Sequence, residues 1–174
     1  MMPPFLRKLA LTVHVTSSVG LLGAIAAFLA LAIAGFASAD DQTIRACYLA
    51  MNIAAKFVIV PLAFAALLTG LIQSLGTAWG LFQHYWVLVK LLLTTFATTI
   101  LLIKMALISA AARLASETSI PHTELRAAGL QLMVHAAGGL LVLLLPVILS
   151  IYKPQGRTSY GWRKQQEKLA LVKS

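Results

Sequence analysis

The stretch Leu9–Phe36 reads LALTVHVTSSVGLLGAIAAFLALAIAGF and contains no Asp, Glu, Lys or Arg. At about 1.5 Å of rise per residue a helix of this length exceeds the ~30 Å hydrocarbon core of a bilayer. Within that core every backbone polar group needs an internal partner, which a helix supplies. Arg7-Lys8 ahead of the run and Ala37-Ser38-Ala39 behind it are also the parts of a secretory signal peptide. The apolar run is far longer than the ~7–15 residues of a signal core, so it reads as a retained transmembrane helix.

Three further runs match it: one within Ala46–Leu75, one from Trp86 to about Ala111, and one over about Ala127–Ile151. The expectation is an all-α fold, a transmembrane four-helix antiparallel bundle forming a single transmembrane domain over 1–174, with 152–174 a basic tail. Pro61 is expected to kink the second span, which neighbouring helices tolerate in a membrane. Gly76-Thr77-Ala78-Trp79-Gly80 reads as a turn. Pro121 is placed to start the fourth helix, with Glu124 in its first turn. Lys153-Pro154 ends it, and Tyr160 and Trp162 of the tail suit the membrane interface.

The composition agrees. The chain is 60% hydrophobic and 11% charged, against about 25% charged in soluble domains, so it lacks the charge to cover a water-facing surface. The net charge of +9 does not indicate nucleic-acid binding, because the cations gather at the ends of the apolar runs. Both termini and the link between the second and third spans share one side. That side holds Arg7, Lys8, Lys153, Arg157, Arg163, Lys164, Lys168 and Lys173. The other holds Arg45, Arg113 and Arg126, with Asp40, Asp41, Glu117 and Glu124. The excess of cations predicts both termini in the cytoplasm. Cys47 is the one cysteine, which excludes an internal disulfide and a thiolate metal cluster.

Five ionisable residues fall inside the spans, His14, Lys56, Lys90, Lys104 and His135, with no carboxylate among them. Such groups are costly at membrane depth and mark functional sites by default. Counting turns puts His14 and Lys90 in the inner leaflet and Lys56, Lys104 and His135 in an outer-leaflet cluster, with Gln131 one turn before His135. His14 and His135 are separated by roughly 15 Å in depth, too far to share one iron. A histidine and a lysine without an acid suit a ligand that brings its own negative charge. Haem b fits, with imidazole on the iron and lysine on a propionate; a quinone or an anionic lipid headgroup also fits. The plain alternatives are lysines that snorkel to the interface and histidines that only bond neighbouring helices. Gly20, Gly23, Gly138 and Gly139 permit close approach of helices or of a flat macrocycle. His122 with Glu117 and Glu124 reads as a solvated loop rather than a metal site.

Leu11-Thr-Val-His14 in the first span, Trp86-Val-Leu-Val-Lys90 opening the third, and a histidine in the fourth resemble small bacterial membrane proteins of the group that includes the CopD copper-resistance protein and HemJ-type protoporphyrinogen oxidase, nearest an uncharacterised branch. The resemblance covers the span layout over most of the chain. It implies a haem-b protein in which His14 and Lys90 matter. The segment Gly35–Asp40 departs from the HemJ-type run at the same place, and the five methionines form no soft-metal cluster. Three functions stand at this point: a membrane-embedded b-type haem protein in electron transfer or as an oxidoreductase; a non-enzymatic scaffold or partner subunit; and a transporter of copper or a small solute. The partners considered are the lipid bilayer, haem, a quinone, a redox protein and a second copy of the chain as a homo-oligomer.

Overall fold

The computed structural model describes residues 3–76, 83–117 and 122–152, with Gly156, Thr158, Ser159, Gly161, Trp162, Arg163, Gln166 and Ala170 of the tail. The turn at Thr77–Gly80, the helix start at Pro121, the stop at Lys153-Pro154, Tyr160, and the tail cations Arg157, Lys164, Lys168 and Lys173 lie outside the described residues.

Four long helices form the protein: α1 (Pro4–Ala37), α2 (Asp41–Gly76), α3 (Tyr85–Ala115) and α4 (His122–Tyr152). No strand occurs among the described residues. Each helix is long and apolar enough to cross a bilayer, and the outer faces agree. Phe57, Leu68, Leu92, Ile103, Val134 and Leu141 all stand exposed, as lipid-facing side chains do. The protein is a multi-pass membrane protein with an all-α four-helix bundle.

Consecutive helices pack on one another, and α1 also packs on α4, so α1 faces α3 and α2 faces α4 across the diagonals. Each helix outruns the apolar run that announced it. Pro4 sits in the first turn of α1, where its missing N–H costs nothing. Only three residues separate α1 from α2, which forces them antiparallel. One of these, Asp40, caps α2 by accepting from the Thr43 N–H at 2.8 Å and from the Thr43 hydroxyl at 2.6 Å. Those bonds, the hydroxyl's first, hold the Asp40 carboxyl below the usual aspartate range.

Proline at position 61 does not break α2. Residues Ala55–Ile59 form a π-helical turn just before it, in which the Val60 N–H bonds to the Ala55 carbonyl. A proline ring crowds the carbonyl four residues back, here that of Phe57, and the widened turn relieves that contact. Pro146 lies inside α4 and is likewise carried without ending the helix.

The two ends of the bundle are joined differently. At the end opposite the termini, called here the far end, packing is tight. Tyr48 of α2 is 2% exposed, lies between glycines of α1 and α4, and donates to the Leu125 carbonyl of α4 at 3.0 Å. A Cβ at Gly35 would come within 3.1 Å of Cys47 Cβ and 3.2 Å of the Tyr48 ring, and one at Gly129 would strike the Tyr48 hydroxyl. Around this bolt pack Ala32, Met51, Ala55, Ala111 and Ala115, all essentially buried. Arg45 donates to the Ser116 and Glu117 carbonyls at 2.9 and 2.8 Å, placing a cation at the negative end of α3. At the terminus end the ties are polar. Gln73 donates to the Ala10 carbonyl at 2.8 Å, Lys90 donates to the Ser150 hydroxyl at 3.1 Å, and the tail pairs with the α3 approach through Thr158 N–H to Gln83 O at 3.1 Å.

Candidate functional site

Between the tight far end and the polar terminus end the helices part around a cavity of about 400 Å³. Its size falls within the roughly 300–1,000 Å³ of small-molecule sites. Leu21, Ile25 and Phe28 of α1 and Ile59 and Ala63 of α2 form two walls. Phe96, Thr98, Leu101, Lys104 and Ile108 of α3 and Leu132, His135, Gly138, Gly139 and Leu143 of α4 are prominent in the other two. The π-helical turn of α2 reaches the cavity through Ile59; such turns recur at functional sites.

Lys104 and His135 are the two ionisable residues on the lining. Lys104 lies eleven residues before the last residue of α3, about 17 Å of rise, and His135 thirteen residues into α4, about 20 Å. Helices of 31 residues exceed a ~30 Å hydrocarbon layer by roughly 8 Å at each end. Both side chains therefore start well inside the apolar layer. Lys104 has no hydrogen-bond or ion-pair partner among the described residues. His135 Nδ1 lies 2.6 Å from the Gln131 carbonyl oxygen. A carbonyl only accepts, so Nδ1 carries the proton, and in the neutral ring Nε2 keeps its lone pair. A backbone carbonyl holding the Nδ1 proton is the arrangement that orients metal-ligating imidazoles.

Gly138 and Gly139 follow His135 by one turn, and a Cβ built on either meets nothing within 4 Å. Close helix packing, the commoner use of membrane glycines, is therefore not what these two do. They leave open space beside the imidazole. Gly20 does serve packing, with Leu62 3.4 Å from its would-be Cβ, whereas Gly23 has nothing within 4 Å.

The expected outer-leaflet cluster is thus brought together in two of its three members. Lys56 is the exception: it is exposed on the lipid face of α2, with its ammonium 5.6 Å from the Phe57 ring centroid. Lys56 directly follows the buried Ala55, which continues the buried stripe of Ile44, Tyr48 and Met51, so it stands about a quarter turn away from the packed face.

The expected inner pair does not form one pocket. His14 Nδ1 lies 3.0 Å from the Ala66 carbonyl and 3.1 Å from Thr69 Oγ1. Its ring fills the space over Gly70, where a Cβ would sit 3.0 Å from Cε1. The Lys90 ammonium sits 4.4 Å from the Trp86 ring centroid and bonds Ser150. His14 is a tie between α1 and α2, and neither it nor Lys90 lines the cavity. At the far end His122 pairs with Asp41 at 3.1 Å, and no group of three or more His, Cys, Asp or Glu suited to a metal occurs among the described residues.

No protein-family model, curated protein or solved structure matches the chain.

Several of these features escaped the sequence reading. Thr69 and Ser150 are helix residues whose roles depend on the facing helix, and Tyr48 looks like any span aromatic. A polar residue such as Gln73 deep in an apolar run is a usable signal of a cross-helix bond.

Proposed function

We propose that this protein is a bacterial inner-membrane b-type haem protein with a role in electron transfer or membrane oxidoreduction, both termini lying in the cytoplasm. The observation that carries the reading is the open face left by Gly138 and Gly139 one turn from His135, on the cavity that Lys104 also lines. The lining fits such a group. His135 offers an Nε2 lone pair with Nδ1 already fixed by Gln131, and Lys104 would meet a propionate. Leu21, Phe28 and Leu132 exclude water from the walls. When bound, haem supplies a one-electron couple whose potential the axial ligand and the dryness of the site tune. The chain's own work is to orient one imidazole, hold one cation in an apolar layer, and keep both away from water.

This moves the ligand role from His14 and Lys90, which the resemblance implies, to His135 and Lys104. The scaffold reading leaves the cavity and its cation without a use. Among the described residues no cluster of His, Cys, Asp or Glu offers copper a site. The basic excess at the termini supports the orientation.

The test is a dithionite-reduced minus oxidised spectrum of the full chain, expressed in a haem-competent bacterium and purified in mild detergent. Sharp α and Soret bands that vanish in His135→Ala and persist in His14→Ala are expected. A flat spectrum from well-folded protein sinks the haem reading.

A further inference from the structure

The four walls of the cavity are unequal. Those from α1 and α2 are closed: Leu21, Phe28, Ile59 and Ala63 are each at most 5% exposed. Those from α3 and α4 are closed where Thr98, Ile108, Leu132 and Leu143 lie, each at most 8% exposed, but open along one edge. Phe96 lines the cavity yet is 59% exposed, and Val134 lines it and is 62% exposed. Gly138, on the same edge of α4, is exposed and adds no side chain to cover the gap.

The seam between α3 and α4 is held at both ends. At the terminus end Lys90 bonds Ser150. At the far end Arg45 holds the last carbonyls of α3 while Tyr48 and Asp41 hold the start of α4. Lys104 lies fourteen residues beyond Lys90 on α3, and His135 fifteen residues before Ser150 on α4, about 21 and 22 Å along the helices. The opening thus runs from Phe96, about 9 Å beyond Lys90 on α3, to Val134 beside His135 on α4, and at that depth it faces acyl chains rather than water.

We propose that the cavity is loaded sideways from the bilayer through the α3–α4 seam, its occupant being a flat apolar ring system carrying carboxylate oxygens, as haem b does. This rests on the cofactor reading above and adds the route. A molecule arriving from water would have to cross the packed far end or the tied terminus end. One dissolved in the acyl layer meets the exposed edge at Phe96, Val134 and Gly138 on the cavity that Lys104 also lines. Among the described residues Lys104 has no carboxylate partner, so an anion brought from the membrane supplies the missing charge.

The experiment uses the full chain as Val134→Cys, with Leu141→Cys as control. Leu141 is 66% exposed on the same helix and does not line the cavity. Native Cys47 is buried and does not compete for label. The variants are purified ligand-free, placed in lipid nanodiscs, and coupled to a bulky maleimide after folding. Haem b, or in a parallel arm a short-chain quinone, is then supplied in the lipid, and bound ligand per protein is measured by absorbance or by extraction. Blocking at Val134 should abolish haem loading, the same label at Leu141 should leave it intact, and labelling Val134 after loading should not release the ligand. Loading at an unchanged rate through a blocked seam overturns the route while leaving the cavity reading standing. Quinone taken up through the seam in place of haem supports the route and overturns the haem identity. Failure of unblocked, folded protein to take up either ligand overturns both.

Discussion

Along α4, Gly129 and Gly138 are separated by nine residues and serve opposite ends. Gly129 is a filled gap: the Tyr48 hydroxyl occupies the place of a side chain, and Gly35 receives the other side of the same ring. Gly138, with Gly139 beside it, is an unfilled gap on a cavity of about 400 Å³. The two membrane histidines divide the same way. His14 spends Nδ1 on the neighbouring helix and packs its ring over Gly70. His135 spends Nδ1 on its own helix and keeps its place on the cavity wall. In a bilayer, where lipid is as apolar as the protein interior, small residues that go unfilled leave packing contacts unmade. A bundle that packs tightly at Gly129 can close its helices, so the opening at Gly138 marks a place kept for something else.

The sharpest way to break this contrast is to exchange the histidines. His135→Ala is expected to abolish any bound chromophore while the melting temperature stays near that of the parent. His14→Ala is expected to keep the chromophore and lose stability by about 1–2 kcal/mol, the scale of a cross-helix bond in a membrane. Thermal melts and reduced-minus-oxidised spectra on the same two preparations decide it. Equal loss of colour in both variants would erase the distinction between tie and ligand.

The glycines supply the next test. Gly129→Ala forces a Cβ into the Tyr48 hydroxyl and should cost about 1–3 kcal/mol, as overpacking does. Gly138→Ala meets nothing and should be neutral or gain up to about 1 kcal/mol from helix propensity. The readout is unfolding of each variant in detergent, and equal destabilisation by both would show that the gap at Gly138 is closed in the protein.

Much of the architecture was legible in the sequence, because four apolar runs behind basic flanks admit only one class of structure in a bilayer. The pairing of Lys104 with His135 was also legible, since counting turns from the far end puts both at similar depth. Lys56 was misplaced for a physical reason: depth follows from counting, but facing depends on helical phase, and the buried stripe of Ile44, Tyr48, Met51 and Ala55 leaves Lys56 beside it rather than on it. The separation of His14 from a pocket was not legible either. It depends on Ala66, Thr69 and Gly70 standing opposite, and no residue of α1 announces them. The same limit hid the difference between Gly129 and Gly138, which only the presence or absence of Tyr48 decides.

The lysines extend the contrast with a smaller effect. Lys104→Met keeps the length and apolar stem while removing the charge, so it should weaken retention of an anionic ligand without loss of fold. Lys56→Met, on the lipid face, should leave retention unchanged. Washing each variant with ligand-free lipid and following residual ligand checks this, and identical retention in Lys104→Met and the parent would remove Lys104 from the site.

The smallest effect is expected at the far end, and it depends on pH. The Asp40 carboxylate caps α2 through Thr43, and those bonds lower its affinity for a proton in the folded protein. A carboxyl whose folded value lies below its unfolded one contributes stability above the unfolded value and loses it as pH falls through the folded one. The melting temperature should therefore fall on acidification below the ordinary aspartate range. Asp40→Asn should flatten that part of the profile, since the amide oxygen still caps but cannot titrate. The group is exposed, so solvent and salt screening keep the change small. The cavity lies away from Asp40 on the middle of the helices, so ligand content across the same pH series should not follow the cap. A chromophore lost in step with Asp40 titration would mean that the far-end packing and the cavity form one cooperative unit rather than two.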